Sequence, residues 1–136
     1  MQIDTAIETV GNDEKGRMDV PKEATNAGWY EPGFKPGMLG SAVIAAHYDT
    51  PLGAPGPFYN LGKLEPGDII ETEDVNGAIL KFKVIGKKTH KDADFPIKEV
   101  FAQSDQKRLN LITCSGTWSK DAKNYSDRLV VYAVLQ

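Results

Sequence analysis

The chain has 136 residues and a mass of 14.9 kDa, room for a single domain spanning 1–136 that buries roughly two thirds of its unfolded surface. Sixteen Lys and Arg against nineteen Asp and Glu leave a net charge of −3 and no basic tail, so no nucleic acid is expected as a partner. The longest apolar run, Leu129 to Leu135, is far shorter than the roughly 18–20 residues of a membrane-spanning helix, and 40% hydrophobic residues exclude disorder.

In chain order, Met1 to Val10 interleaves Ile3, Ile7 and Val10 with Asp4, Thr5, Glu8 and Thr9 and reads as a strand that ends in the turn Gly11-Asn12-Asp13. Met18 to Pro21 predicts a second short extended piece. Residues 22–40 carry four Gly and two Pro around Trp29, Tyr30 and Phe34, which predicts a loop plugged onto the body by its aromatics. Gly40 to His47 is a run of small and apolar residues that suits a buried central strand, a reading favoured over the short helix that periodicity alone also allows. Pro51, Gly53, Pro55, Gly56 and Pro57 then force a loop directly behind His47.

Phe58 to Leu64 predicts one helical turn, closed by Glu65-Pro66-Gly67-Asp68. Ile69 to Thr72 and Ala78 to Lys87 flank Asp74-Val75-Asn76-Gly77, where Asn-Gly signals a hairpin between the two strands. A short helix is expected near Pro96 to Phe101, a strand at Leu109 to Cys114, and a last strand at Leu129 to Leu135. Short strands separated by Gly and Pro turns, with little helix, point to an all-β, closed or nearly closed barrel.

The cysteine count narrows the chemistry. Cys114 is the sole cysteine, so it forms no internal disulfide and no cysteine-rich zinc site. It is either a small buried hydrophobe or a nucleophile whose imidazole partner is His47 or His90. Cys114 follows the apolar run Leu109 to Thr113 and precedes Ser115-Gly116-Thr117, a place where a strand would open into a loop. His47 has the same placement, whereas His90 lies among Lys87, Lys88, Lys91 and Asp92 and reads as a solvated loop residue. Arg128, fourteen residues beyond Cys114, would be folded back toward the sulfur if the last two strands pair; its alternative is a surface cation. Arg108 begins the Cys114 strand, about 20 Å away at about 3.3 Å per residue, and with Arg17 is the weaker choice.

These residues form a pattern that resembles the sortases, cysteine transpeptidases of Gram-positive bacterial surfaces. Leu111-Ile112-Thr113-Cys114 matches the family's T-L-x-T-C motif, with Asn110 in place of the first Thr. Arg128 followed by Leu129-Val130-Val131-Tyr132-Ala133 is similar to the family's Arg-headed last strand, and Ala46-His47-Tyr48-Asp49-Thr50 to its histidine segment. The likeness extends through Gly56-Pro57-Phe58-Tyr59-Asn60-Leu61 and Leu64-Glu65-Pro66-Gly67-Asp68 to nearly the whole chain. The His-x-Asp form and the Pro-Gly-Pro-Phe-Tyr segment are most like the class F group.

The resemblance implies a closed eight-stranded sortase β-barrel with short helices or 3-10 turns in its connections. It implies Cys114, His47 and Arg128 as the catalytic trio, with Thr113 supporting the oxyanion pocket. The expected substrate is an L-P-x-T-G-like sorting signal of surface proteins, cut between Thr and Gly, and the acceptor an amine such as a peptidoglycan precursor or a pilin lysine. It further implies a monomer on the outer face of the bacterial plasma membrane, anchored by a segment upstream of Met1. No cofactor is expected. Glu71, Glu73 and Asp74 are candidates for a calcium site of the kind some class A relatives hold, but three acids beside a hairpin are more often a solvated edge.

The chemistry suits these residue types. A Cys114 thioester lasts long enough for an amine to intercept it. The thiol, with an ordinary pKa of about 8.5, needs a nearby cation to raise its thiolate fraction. His47 can protonate the departing amine and later deprotonate the incoming one, which a guanidinium cannot do. Arg128 can donate fixed hydrogen bonds to the carbonyl oxygen as charge develops there. Asp49 either orients His47 or caps its own loop, and Trp118 and Tyr125 either wall a substrate groove or pin the loop between Cys114 and Arg128. Two other functions fit the same residues: a cysteine hydrolase in which water resolves the thioester, and a noncatalytic peptide-binding barrel with an inert Cys114.

Overall fold

The computed structural model describes residues 4–14, 16–49, 53–120 and 124–136, with backbone alone for 114–119 and 124. Seven strands form one sheet: β1 (Ile7–Val10), β2 (Ala27–Tyr30), β3 (Gly40–Ala46), β4 (Ile69–Glu73), β5 (Ile79–Lys91), β6 (Lys107–Ser119) and β7 (Asn124–Leu135). Their spatial order is β1-β2-β3-β6-β7-β5-β4. The β1–β2 and β3–β6 pairs are parallel and the others antiparallel. Two 3-10 turns, Leu61–Lys63 and Asp92–Asp94, and one short helix, α1 (Ile97–Val100), complete the regular structure among the described residues.

Strand alternation sorts the apolar side chains onto two faces. One face buries Ala42, Ile44 and Ala46 of β3 with Phe82, Val84, Leu109, Leu111, Val131 and Ala133, covered by Phe58, Leu61 and Leu64. The Lys87 ammonium fixes that cover, donating to the Gly62 carbonyl at 2.6 Å and to Glu65 at 2.8 Å. The opposite face packs Val43, Ile112 and Val130 under Val100. Asn110 supports this second layer, since its buried side-chain amide donates to the Val100 carbonyl at 2.8 Å. The residue that departs from the T-L-x-T-C motif therefore has a use of its own, tying α1 to the sheet.

The expectation of a closed eight-stranded barrel is corrected. The sheet has seven strands and is an open half-barrel, curled through 230° with a 9 Å gap between its edges, and paired strands stand only about 4.7–4.9 Å apart. The edge strands β1 and β4 are therefore too far apart to bond to each other. The strand inventory shifts as well. Met18 makes only an isolated bridge to Asn12, while β2 runs through a segment read as loop. Gly28 is the reason for that difference: a Cβ there would lie 2.9 Å from Val10 and 3.2 Å from Pro21, so the glycine that reads as a breaker permits close packing of β1 on β2.

Candidate active site

The last strands are longer than expected, and this moves the candidate residues. Cys114 lies inside β6, five residues short of its end, and Arg128 lies inside β7; neither stands at a strand terminus. Cys114 and Arg128 are register partners. Ala45 pairs with Ile112 as the last pair of the parallel β3–β6 ladder, and β3 ends at Ala46, directly before His47. The buried Thr113 hydroxyl clamps the junction, donating to the Ala46 carbonyl at 2.9 Å. Positions 114 and 128 thus share one rung of β6 and β7, and His47 follows directly on β3, the other neighbour of β6.

The breaker-rich loop wraps the histidine. Phe58 N–H donates to the His47 carbonyl at 3.2 Å, and Gly56 N–H to the Tyr48 carbonyl at 2.8 Å. A Cβ on Gly56 would overlap the His47 carbonyl oxygen and lie 2.7 Å from its carbon. His47 itself is half-buried. The next residue, Tyr48, stacks on Tyr59 with ring centroids 4.8 Å apart and meets Tyr125 edge-on at 5.7 Å. Burial, then the adjacent Tyr59, pushes the Tyr48 phenol above the ordinary tyrosine value. Asp49 accepts a 2.6 Å hydrogen bond from the Tyr125 hydroxyl.

Arg128 is held from three sides. Its Nη1 donates to the Asp127 carbonyl at 3.0 Å and to the Tyr125 carbonyl at 3.3 Å, and Nη2 meets Asp92 Oδ1 at 3.2 Å. With its side chain 18% exposed, the guanidinium is fixed and largely shielded. That setting favours a planar donor over a mobile surface cation.

His90 is corrected from a solvated loop residue to a member of β5. It pairs with Arg128 on the far side from Cys114, and its ring lies 3.1 Å from the Tyr132 hydroxyl and edge-on to Phe95. Burial, followed by Glu99, raises the Tyr132 phenol pKa. His90 therefore neighbours Arg128 in β5, while His47 follows β3 on the other side of β6. Sequence reading also missed Asp92 as the partner of Arg128. The only available signal was an acid two residues beyond His90, in a segment whose charge masked its strand.

The remaining candidates are dispersed. The side chains of Cys114 and Trp118, and residues 50–52 of the loop behind His47, lie outside the described residues; the Trp118 backbone pairs with Tyr125. Arg17 makes an exposed ion pair with Asp13 at 3.4 Å, and Arg108 pairs with Val134 toward the other end of the sheet. Asp74 caps the hairpin by accepting from the amides of Asn76 and Ala78, while Glu71 faces Lys81 at 3.8 Å. No group of three or more His, Cys, Asp or Glu converges as a metal site among the described residues.

Residues 1–136 match the Sortase family model, described as a sortase domain. No curated protein matches. Among solved structures, the chain is similar to a lid mutant of sortase A from Corynebacterium diphtheriae, with TM-score 0.71 and 23% identity over 96% of this chain and 62% of that one. It is similar to the Group B Streptococcus pilus island 1 sortase C2, with TM-score 0.70 and 22% identity over 96% of this chain and 65% of that one. Streptococcus pneumoniae sortase C shares 28% identity at TM-score 0.65, over 81% of this chain and 52% of that one. The chain thus spans between 52% and 65% of the length of these relatives.

Proposed function

The chain belongs to the sortase family, and from that premise we propose that residues 1–136 form one catalytic domain, a cysteine transpeptidase acting on an L-P-x-T-G-like signal. The observation that supports this reading is the pairing of Cys114 with Arg128 across β6 and β7, with His47 directly after the end of β3, the other neighbour of β6. The Cys114 thiolate attacks the threonyl carbonyl carbon. The oxyanion that forms there is met by the Arg128 guanidinium, held by Asp92 and two carbonyls so that it needs little reorganisation. Protonated His47 gives its proton to the departing glycyl amine as the C–N bond breaks, leaving the thioester. An incoming amine attacks that thioester, neutral His47 takes its proton, and the C–S bond breaks to release the new amide and regenerate the thiolate. Thr113 supports the pocket by fixing the end of β3 to β6 beside position 114.

The subclass we favour is class F, supported by the His47-Tyr48-Asp49 and 55–59 segments. Its partners in this reading are the sorting signals of surface proteins and an amine such as a peptidoglycan precursor. Its location is the outer face of the plasma membrane, held by a segment upstream of residue 1. Among the described residues no helix is long and apolar enough to cross a membrane.

The test is mass spectrometry of products from an L-P-x-T-G peptide mixed with triglycine. Ligated peptide should exceed hydrolysed peptide, and Cys114→Ala should form neither product nor acyl-enzyme. His47→Ala should lose on the order of 10² or more in rate, with His90→Ala close to wild type. Turnover by Cys114→Ala would remove the nucleophile assignment, and excess hydrolysis at saturating amine would make the protein a cysteine hydrolase.

A further inference from the structure

We propose that Tyr125 is a positioning residue that locks the His47 segment and the Arg128 guanidinium into one arrangement. The inference rests on the transpeptidase reading for its consequence, but its geometry is independent of it. β3 and β7 are not neighbours; β6 runs between them, so the end of β3, which His47 follows, and β7 stand two strand spacings apart, roughly 10 Å. Without a further tie, the loop after β3 could drift from the head of β7 with no strand hydrogen bond to resist it.

Tyr125 supplies that tie at both ends. Its hydroxyl donates to Asp49 Oδ2 at 2.6 Å, within the short range of charge-assisted O–H···O⁻ bonds. Its carbonyl accepts from Arg128 Nη1 at 3.3 Å. The ring packs edge-on against Tyr48, which in turn stacks on Tyr59, so the residue next to His47 is gripped by aromatic contact as well. Tyr125 and Asp49 are both half-buried, where a hydrogen bond to an ionised carboxylate is worth more than at an exposed site. The same contact decides between two readings of Asp49: its carboxylate is engaged by β7, and it acts on His47 by anchoring the segment.

The test compares Tyr125→Phe, Asp49→Ala, Asp49→Asn and the double variant Tyr125→Phe/Asp49→Ala in the ligation assay. Tyr125→Phe and Asp49→Ala should each lower kcat on the order of 10- to 100-fold with KM little changed, the scale of a misplaced catalytic group. The double variant should fall no further than the worse single one, because the two changes break one contact. Asp49→Asn, which still offers the phenol an acceptor, should recover most of the loss. Unchanged kcat in Tyr125→Phe, additive losses, or no recovery in Asp49→Asn would overturn the proposal.

A second readout needs no sorting peptide. The pH profile of Cys114 alkylation by iodoacetamide should move to higher pH in Tyr125→Phe, because the segment that carries His47 loses its tie to β7 and its imidazole is no longer held toward position 114. An unmoved profile overturns the proposal. A shifted profile in Tyr125→Phe together with a wild-type protein that joins no peptide to triglycine would sink the transpeptidase reading and leave the latch standing.

Discussion

Gly56 shows how a single missing side chain sets the position of a candidate catalytic one. Its amide bonds the Tyr48 carbonyl, and its α-carbon lies so close to His47 that a methyl group would collide with backbone, which cannot rotate away as a side-chain tip can. Gly56→Ala should therefore cost about 1–3 kcal/mol in unfolding free energy, the usual range for overpacking. It should also lower ligation kcat/KM by about tenfold or more, since the loop and His47 must part. Urea unfolding and steady-state kinetics on that one variant check both, and a stable, fully active Gly56→Ala would mean that the loop does not hold the histidine. The sequence marks this segment as a breaker-rich loop behind His47. It does not distinguish the glycine that turns the chain from the one that makes room, because that depends on a contact nine residues apart.

At the scale of elements, the hairpin was legible and the long strands were not. Asp74 to Gly77 carries a local code, with Gly77 at φ 82° and Asp74 capping the turn, so β4 and β5 are found from sequence alone. Ser115 to Ser119 and Lys88 to Lys91 read as loop by composition, yet they extend β6 and β5 because β7 lies alongside to pair with them. Tertiary pairing overrides local propensity here, and it moves Cys114 from a strand end to the interior of β6 and His90 from a loop into β5. Elsewhere a charge joins elements. Glu8 of β1 accepts from the amides of Lys22 and Glu23 and from Asn26, and these bonds, led by the one from Lys22, hold its carboxyl below the ordinary 4.5. Because the folded value is depressed, this stabilisation is fully present above pH 4.5 and is lost as pH falls through the folded value. Wild type should therefore be more stable than Glu8→Gln at neutral pH, with the gap closing on acidification. Urea midpoints from neutral pH down to about pH 2 measure it, and a gap independent of pH would deny Glu8 this role.

Across the whole molecule, the open sheet sets a gradient of protection. β6 is flanked by β3 and β7, and β7 by β6 and β5, while β1 and β4 each have one neighbour and face the 9 Å gap. Leu109, Val130, Val131 and Ala133 are fully buried, whereas Ile7 of β1 is 46% exposed and Ile69 of β4 43%. Local opening needs little free energy where few contacts break, and approaches the global value of about 5–15 kcal/mol in central strands. Amides of 109–113 and 129–134 should accordingly exchange with deuterium last, at a rate set by global unfolding, and those of β1 and β4 at least about 10³ faster. Cys114 and Arg128 adjoin these protected stretches in the two strands that are paired on both sides, so the proposed reacting groups stand on the part of the sheet that opens least. Hydrogen exchange read by mass spectrometry on native protein decides it. Edge strands protected as well as β6 and β7 would mean that the gap is bridged in solution and that the sheet there is closed.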